Sequence, residues 1–189
     1  MTIKQPCGFI LPYKGIVPKI NDSAFIAPTA SVIGDVEIGA DSQIWYGCTV
    51  RGDVNDITIG ARTNIQDGSV IHVTHGFSGT HIGDDVTVGH NAILHACTVH
   101  DKGFVGMQAC VMDGAVVESY GMVAAGALVP PGKVVKSGEL WVGRPAKAVR
   151  ELSDDERKYI DWSAPHYVVL GAEHKKSCLA ALLINTWFS

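Results

Sequence analysis

An aliphatic residue returns every six positions along most of this chain, and few folds tolerate that period. Ile26, Val32, Ile38, Ile44 and Val50 set the rhythm; Ile59, Ile65 and Ile71 repeat it, then Ile82, Val88 and Leu94. After a slip of one residue it continues through Val99, Val105, Val111, Val117 and Val123. Four places on from most of these stands something small, among them Ala30, Ser42, Cys48, Thr63, Ser69, Ala92 and Thr98. Glycine often follows the aliphatic residue directly, as at Gly39, Gly60, Gly83, Gly89 and Gly106. This is the signature of a hexapeptide parallel β-helix, in which three hexads form one triangular coil and both residue types point inward. Coils stack at the ~4.8 Å spacing of hydrogen-bonded strands, each stabilising its neighbours. About six coils are expected. A sandwich is excluded by period, because its strands recur at about 8–12 residues.

The repeat converts histidines into positions. His72 and His95 each follow an inward residue, Ile71 and Leu94. If the extra residues within Val73–His81 protrude as a loop, the two lie on one face, one coil apart. Arg51, after Val50, joins their column if Asn55–Thr58 is also a loop. His90 falls two places after Val88, near a corner, with Asp67 beneath it and Gln66 alongside. A tetrahedral metal needs imidazole nitrogens about 2.0–2.1 Å away, and a corner separates His90 from the other two. The simplest closure takes His90 from a neighbouring subunit. Three-fold symmetry makes such an interface self-closing. The expectation is a homotrimer with a metal at each interface, held by His72, His95 and the neighbour's His90.

At these residues the chain resembles the γ-class carbonic anhydrase family. The resemblance is carried by Arg51-Gly52-Asp53, Asn64-Ile65-Gln66-Asp67-Gly68, His72, Gly89-His90-Asn91-Ala92-Ile93-Leu94-His95 and Gly106-Met107, within a stretch from about Ile26 to Arg150. It implies a left-handed coil and a homotrimer with Zn2+, or in some members Fe2+ or Co2+, bound by three histidines between subunits. It also implies reversible hydration of CO2 to bicarbonate, a lyase activity. Two departures stand out. Strongly active members carry a glutamate after the Arg-Gly-Asp stretch as a proton shuttle, where this chain has Val54, and an acidic loop where Val73–His81 holds no Asp or Glu. The closest likeness is to the short-loop branch, which includes members of weak activity. In that branch a tyrosine of the helical tail approaches the metal, and Tyr167 is the matching candidate.

The fold class expected is therefore all-β, a left-handed parallel β-helix with a C-terminal α-helical tail. Residues 1–25 form a lead-in covering the first coil, 26–135 the β-helix, and 136–189 a strand and helical tail. The coils are expected to end at Val129-Pro130-Pro131-Gly132, because proline removes a ladder donor. Leu140-Trp141-Val142 reads as a further strand and Ser153-Asp154-Asp155-Glu156 as a capping box. Pro165 interrupts the tail, opening a second helix at His166. Cys178 to Phe188 is apolar but short of the ~20 residues a membrane span needs, so a packed or swapped helix is expected. A net charge of −4 and a pI near 6.0 give no case for nucleic-acid or membrane binding. The N-terminus lacks the pattern of a signal peptide, and a cytoplasmic location is expected. Five cysteines fit neither a disulfide framework nor a CxxC site; Cys48 and Cys97 read as packing. His75 and His81 fall in the extra loop, either simply exposed or relaying protons at the site mouth.

The chemistry assigned to these residues follows. Zinc lowers the pKa of a bound water to about 7, giving hydroxide for attack on CO2. Gln66 hydrogen-bonds the bound oxygen, Asp53 holds Arg51, and Asp67 pairs with Arg51 across the interface. Two rivals remain: a hexapeptide-repeat acyl or CoA transferase, which uses a single histidine base, and a non-catalytic metal-binding trimeric scaffold.

Overall fold

The computed structural model describes residues 8–185. Here the six-residue period becomes a parallel β-solenoid of about seven turns. Parallel register stacks the inward residues in three columns. One column runs Val32, Val50, Ile71, Leu94, Val111, Val129. The second runs Ile38, Ile59, Ile82, Val99, Val117, Val135. The third runs Ile26, Ile44, Ile65, Val88, Val105, Val123. All eighteen are at most 3% exposed, and full burial of each such side chain contributes about 1.5–3 kcal/mol. The first two faces belong to one sheet, since Ser31–Ile38 and Thr49–Ile59 bend round their shared corner unbroken.

Corners are turned by the third residue after the inward one. Asp41, Arg62, Asp85 and Asn91 sit there with φ of 56–57°, a left-handed conformation uncommon outside glycine. Gly68 and Gly126 take the same place elsewhere. The slip between Leu94 and Val99 shortens one corner. Cys97 therefore fills the small inward slot at 1% exposure, and Thr98, expected there, is only half-buried. Burial raises the Cys97 and Cys48 thiols to about 12, so both cysteines are packing residues.

The two insertions differ in form. The loop expected within Val73–His81 does protrude, closed by a Thr74–Ser78 bridge with His75 at its exposed tip. His81 is not part of it: it lies on the strand Thr80–Ile82, with Nε2 2.9 Å from Asp56. The loop expected at Asn55–Thr58 is shifted. Ile57 and Thr58 pair with Val36 and Glu37, so Asp53–Asp56 form the bulge within one long strand. The bulge starts there because Gly34 and Gly52 cross closely; a Cβ on Gly52 would stand 2.3 Å from the Asp35 carbonyl oxygen.

Strand pairing reaches beyond both expected ends of the coil. Within the lead-in, Phe9–Leu11 and Lys19–Ile20 pair with Ser31–Ile38. The coil does not stop at Pro130-Pro131. Leu128–Val129 is the last strand of its face, so no further coil calls for a donor there, and Val134–Val135 and Glu139–Gly143 continue the other two faces. An antiparallel partner, Ala146–Glu151, then closes the end.

A single helix, α1 (Asp154–Asn185), returns along the Ile65 face. Its order of contacts gives the direction: Ser163 meets Thr87, Tyr167 meets Trp45, His174 meets Tyr46, and Lys175 reaches the Ala24 carbonyl in the early coils. Pro165 does not start a second helix. A proline costs one backbone hydrogen bond, and anchors on both sides, Ile160 and Ser163 before it and Tyr167 and Gly171 after, hold the helix continuous. The apolar stretch Cys178–Phe188 carries it on to Asn185, its last residues lying outside the described ones. Among the described residues no helix is long and apolar enough to cross a membrane.

The helix begins on the expected capping box. The Glu156 amide donates to Ser153 Oγ (3.3 Å) while Glu156 Oε2 accepts from the Ser153 amide (2.8 Å). Arg150 first, and the Ser153 amide second, hold the Glu156 carboxyl at about 2, against the usual 4.5. A depressed folded-state pKa means this support is complete above about pH 4.5 and is lost as pH falls towards 2. Ser153→Ala should lower stability by about 1 kcal/mol, read by thermal unfolding at pH 7. The wild-type–variant difference should shrink on acidification to pH 3.

Candidate metal centre

Alternation along two stacked strands places the first pair of histidines. Val70–His72 and Ile93–His95 run in parallel with His95 opposite His72, and burial of Ile71 and Leu94 turns both imidazoles outward. His72 Nδ1 lies 3.2 Å from His95 Nε2. At metal–nitrogen distances of about 2.0–2.1 Å, tetrahedral ligands stand roughly 3.3–3.4 Å apart. The pair is thus spaced as two ligands of one metal.

Each ring is held from behind by a carboxylate. His72 Nε2 is 3.0 Å from Asp53 Oδ1, and Asp53 also accepts from Arg51, as expected. His95 Nδ1 is 2.7 Å from Asp113 Oδ1, whose other oxygen accepts from the Thr74 hydroxyl. The Thr74 hydroxyl, with His95 adding to it, pulls the Asp113 carboxyl below its ordinary range. Asp53 is lowered too: partial desolvation raises it, but hydrogen bonds from His72 and Arg51 outweigh that. Both carboxylates stay ionised and accept an imidazole N–H, the outer-partner arrangement typical of metal-bound histidine. Asp113 and Thr74 escaped the sequence reading. Register contained the signal for Asp113, two places after Val111 as Asp67 is two places after Ile65.

His90 lies at the corner on the other side, its Nδ1 3.0 Å from Asp67 of the coil beneath. Within one chain Asp67 thus pairs with His90 and Arg51 with Asp53. Among the described residues of one chain, no cluster of three or more His, Cys, Asp or Glu side chains is placed to hold a metal. The structure brings His72 and His95 together and leaves His90 apart.

Beside His90 a cavity of about 420 Å³ opens between the coils and α1. Gln66, His90 and Tyr167 line it, with Met107, Met122 and Leu140 as apolar wall. Tyr167 also packs edge-on against Trp45, ring centres 5.8 Å apart, and burial raises its hydroxyl pKa. Tyr167 is thus packed on the solenoid and at the same time lines the cavity beside His90. His75 and Val54 stand elsewhere, around a separate hollow that Asp53 also lines.

The fold and repeat define a hexapeptide-repeat β-solenoid, and the family described as bacterial transferase hexapeptide (six repeats) matches residues 18–52. The relatives narrow the class. The chain is 53% identical over 162 residues to gamma carbonic anhydrase 1, mitochondrial, of Arabidopsis thaliana, covering 83% of this chain and 59% of that protein. It is 42% identical over 166 residues to a carbonic anhydrase of Geobacillus kaustophilus, covering 88% and 91% of the two. A hexapeptide transferase family protein of Anaplasma phagocytophilum, known by its crystal structure, superposes with a TM-score of 0.83 at 50% identity, covering 86% and 96%. The chain belongs to the gamma carbonic anhydrase family of left-handed β-helix proteins. It spans about three-fifths of the plant protein's length.

Proposed function

We propose that this chain is a metal-dependent carbonic anhydrase-like lyase that interconverts CO2 and bicarbonate at sites shared between the subunits of a homotrimer. The observation that carries the reading is the His72–His95 pair at ligand spacing, each ring backed by an ionised carboxylate. His90 of a neighbouring copy completes the set, and zinc, iron or cobalt suits three imidazoles. Bound there, such a metal supplies Lewis acidity sufficient in zinc enzymes to bring the pKa of water to about 7.

The chain's own groups do the rest. Asp53 and Asp113 fix the tautomers of His72 and His95 and stop the rings rotating. Gln66 offers a hydrogen bond at the mouth of the His90 cavity, and Met107, Met122 and Leu140 give apolar CO2 a dry approach. Tyr167 closes the helix side. Arg51, half-exposed and paired with Asp53, and Asp67, paired with His90, are the two groups assigned to an ion pair across the interface when the copies meet.

Proton export is the weak step, since an apolar Val54 stands where a shuttle carboxylate would. Hydration in the wild type should be slow or conditional. Val54→Glu should raise kcat, within the roughly 10²–10⁴-fold that general acid–base help is worth. A wild type as fast as strong carbonic anhydrases, or no gain from Val54→Glu, would contradict this.

The test of the function itself is anaerobic purification, a count of metal per subunit, and CO2 hydration with zinc, cobalt and iron. One metal per subunit and hydration abolished by chelation are expected. Acetyl transfer from acetyl-CoA by metal-free protein would replace this reading with the transferase one.

A further inference from the structure

We infer that Ser163, on the helix, is a positioning residue that fixes the orientation of Gln66 through two buried intermediaries, Thr87 and Asn64. The inference rests on the proposed role of Gln66 at the site mouth but is read from hydrogen bonds that exist without metal. Four polar side chains, each at most 6% exposed, form one chain from the cavity to α1. Gln66 Nε2 donates to Asn64 Oδ1 at 3.0 Å. Asn64 Nδ2 donates to the Val86 carbonyl at 3.3 Å and to Thr87 Oγ1 at 3.0 Å. Thr87 Oγ1 and Ser163 Oγ are 2.8 Å apart.

Direction follows from the one partner that cannot reverse. The Val86 carbonyl only accepts, so the Asn64 atom facing it is nitrogen and the one facing Gln66 is oxygen. That oxygen requires an N–H, so Gln66 turns its nitrogen inward and leaves its own carbonyl oxygen for the cavity. At the other end, Thr87 receives Asn64's proton and gives its own to Ser163. Without Ser163 the Thr87 hydroxyl is buried with no acceptor. Its one remaining route to an acceptor among these groups is a flipped Asn64, which gives up the Val86 hydrogen bond and reverses Gln66 as well. Population of that state is what would loosen Gln66. An amide oxygen accepts and never donates, so the ligand oxygen that meets it must carry hydrogen, as water and bicarbonate do. The helix thereby sets the polarity of the site through a buried hydroxyl.

The test uses full-length metal-free protein and the exchange of the Gln66 side-chain amide protons, followed by NMR. Ser163→Ala and the isosteric Thr87→Val should each speed that exchange at least tenfold. Thr87→Ser keeps the hydroxyl and should remain near wild type. Backbone amides of Asn64–Ile65 and Thr87–Val88 serve as the control and should keep their protection. With metal restored, Ser163→Ala should lower kcat for CO2 hydration while leaving KM unchanged. Unchanged Gln66 exchange in Ser163→Ala overturns the proposal. So does faster exchange that spreads to the control backbone amides or appears equally in Thr87→Ser, since either marks general loosening. A wild type that hydrates no CO2 counts against the proposed function alone, and the exchange experiment still decides this one.

Discussion

Alanine at His95 should leave the solenoid folded and remove tight metal binding. The side chain points outward and is about one-third exposed, so its loss opens no core cavity. It takes away one of two nitrogens spaced for a common metal. A graded companion is Asp113→Asn. His95 Nδ1 donates to a carboxylate oxygen at 2.7 Å, and the uncharged amide oxygen that would replace it is a weaker acceptor. Loss of such outer partners typically weakens metal affinity about 10–100-fold. Competition with a chromophoric chelator should give that loss for Asp113→Asn and a larger one for His95→Ala. Wild-type affinity in both would remove the metal centre from the account.

The largest stability effect should come from Leu94→Ala. Leu94 is fully buried, stacked between Ile71 and Val111, and it is the residue that turns His95 outward. Leucine-to-alanine changes in cores cost about 2–5 kcal/mol, depending on how far the site collapses. A solenoid adds a reason for the upper part of that range. Each coil is held mainly by its two neighbours, and stacked strands fixed by flanking hydrogen bonds close poorly over a void. Denaturant unfolding of the metal-free protein measures it; a change under 0.5 kcal/mol would mean that the column is not the core.

Much of this was legible in the chain because a six-residue period leaves one way to stack. The three columns, the outward pair His72 and His95, and Asp67 beneath His90 all follow from counting. What counting missed has physical causes. The left-handed corner place holds Asp, Arg, Asn, Lys, Gln and Tyr as well as glycine, so backbone geometry there has no composition to betray it. The bulge at Asp53–Asp56 is placed by the Gly34–Gly52 crossing, a contact between coils that no single strand reveals. Pro130, Pro131 and Pro165 read as terminators, yet two sit in a corner and the third in a helix anchored on both sides. Asp113 lies one coil beyond its histidine and 18 residues from it in sequence, so its role emerges only once the coils are stacked.

The shared site is tested most directly by mixing. His90→Ala and His95→Ala copies, each unable to hold metal tightly as a homotrimer, are co-expressed and mixed trimers isolated by differential tags. If His72 and His95 of one copy meet His90 of the next, some interfaces bring an intact pair against an intact His90. Mixed trimers should then regain tightly bound metal at those interfaces. A site built within one chain cannot be rescued this way, and verified mixed trimers that recover no metal would contradict the shared centre.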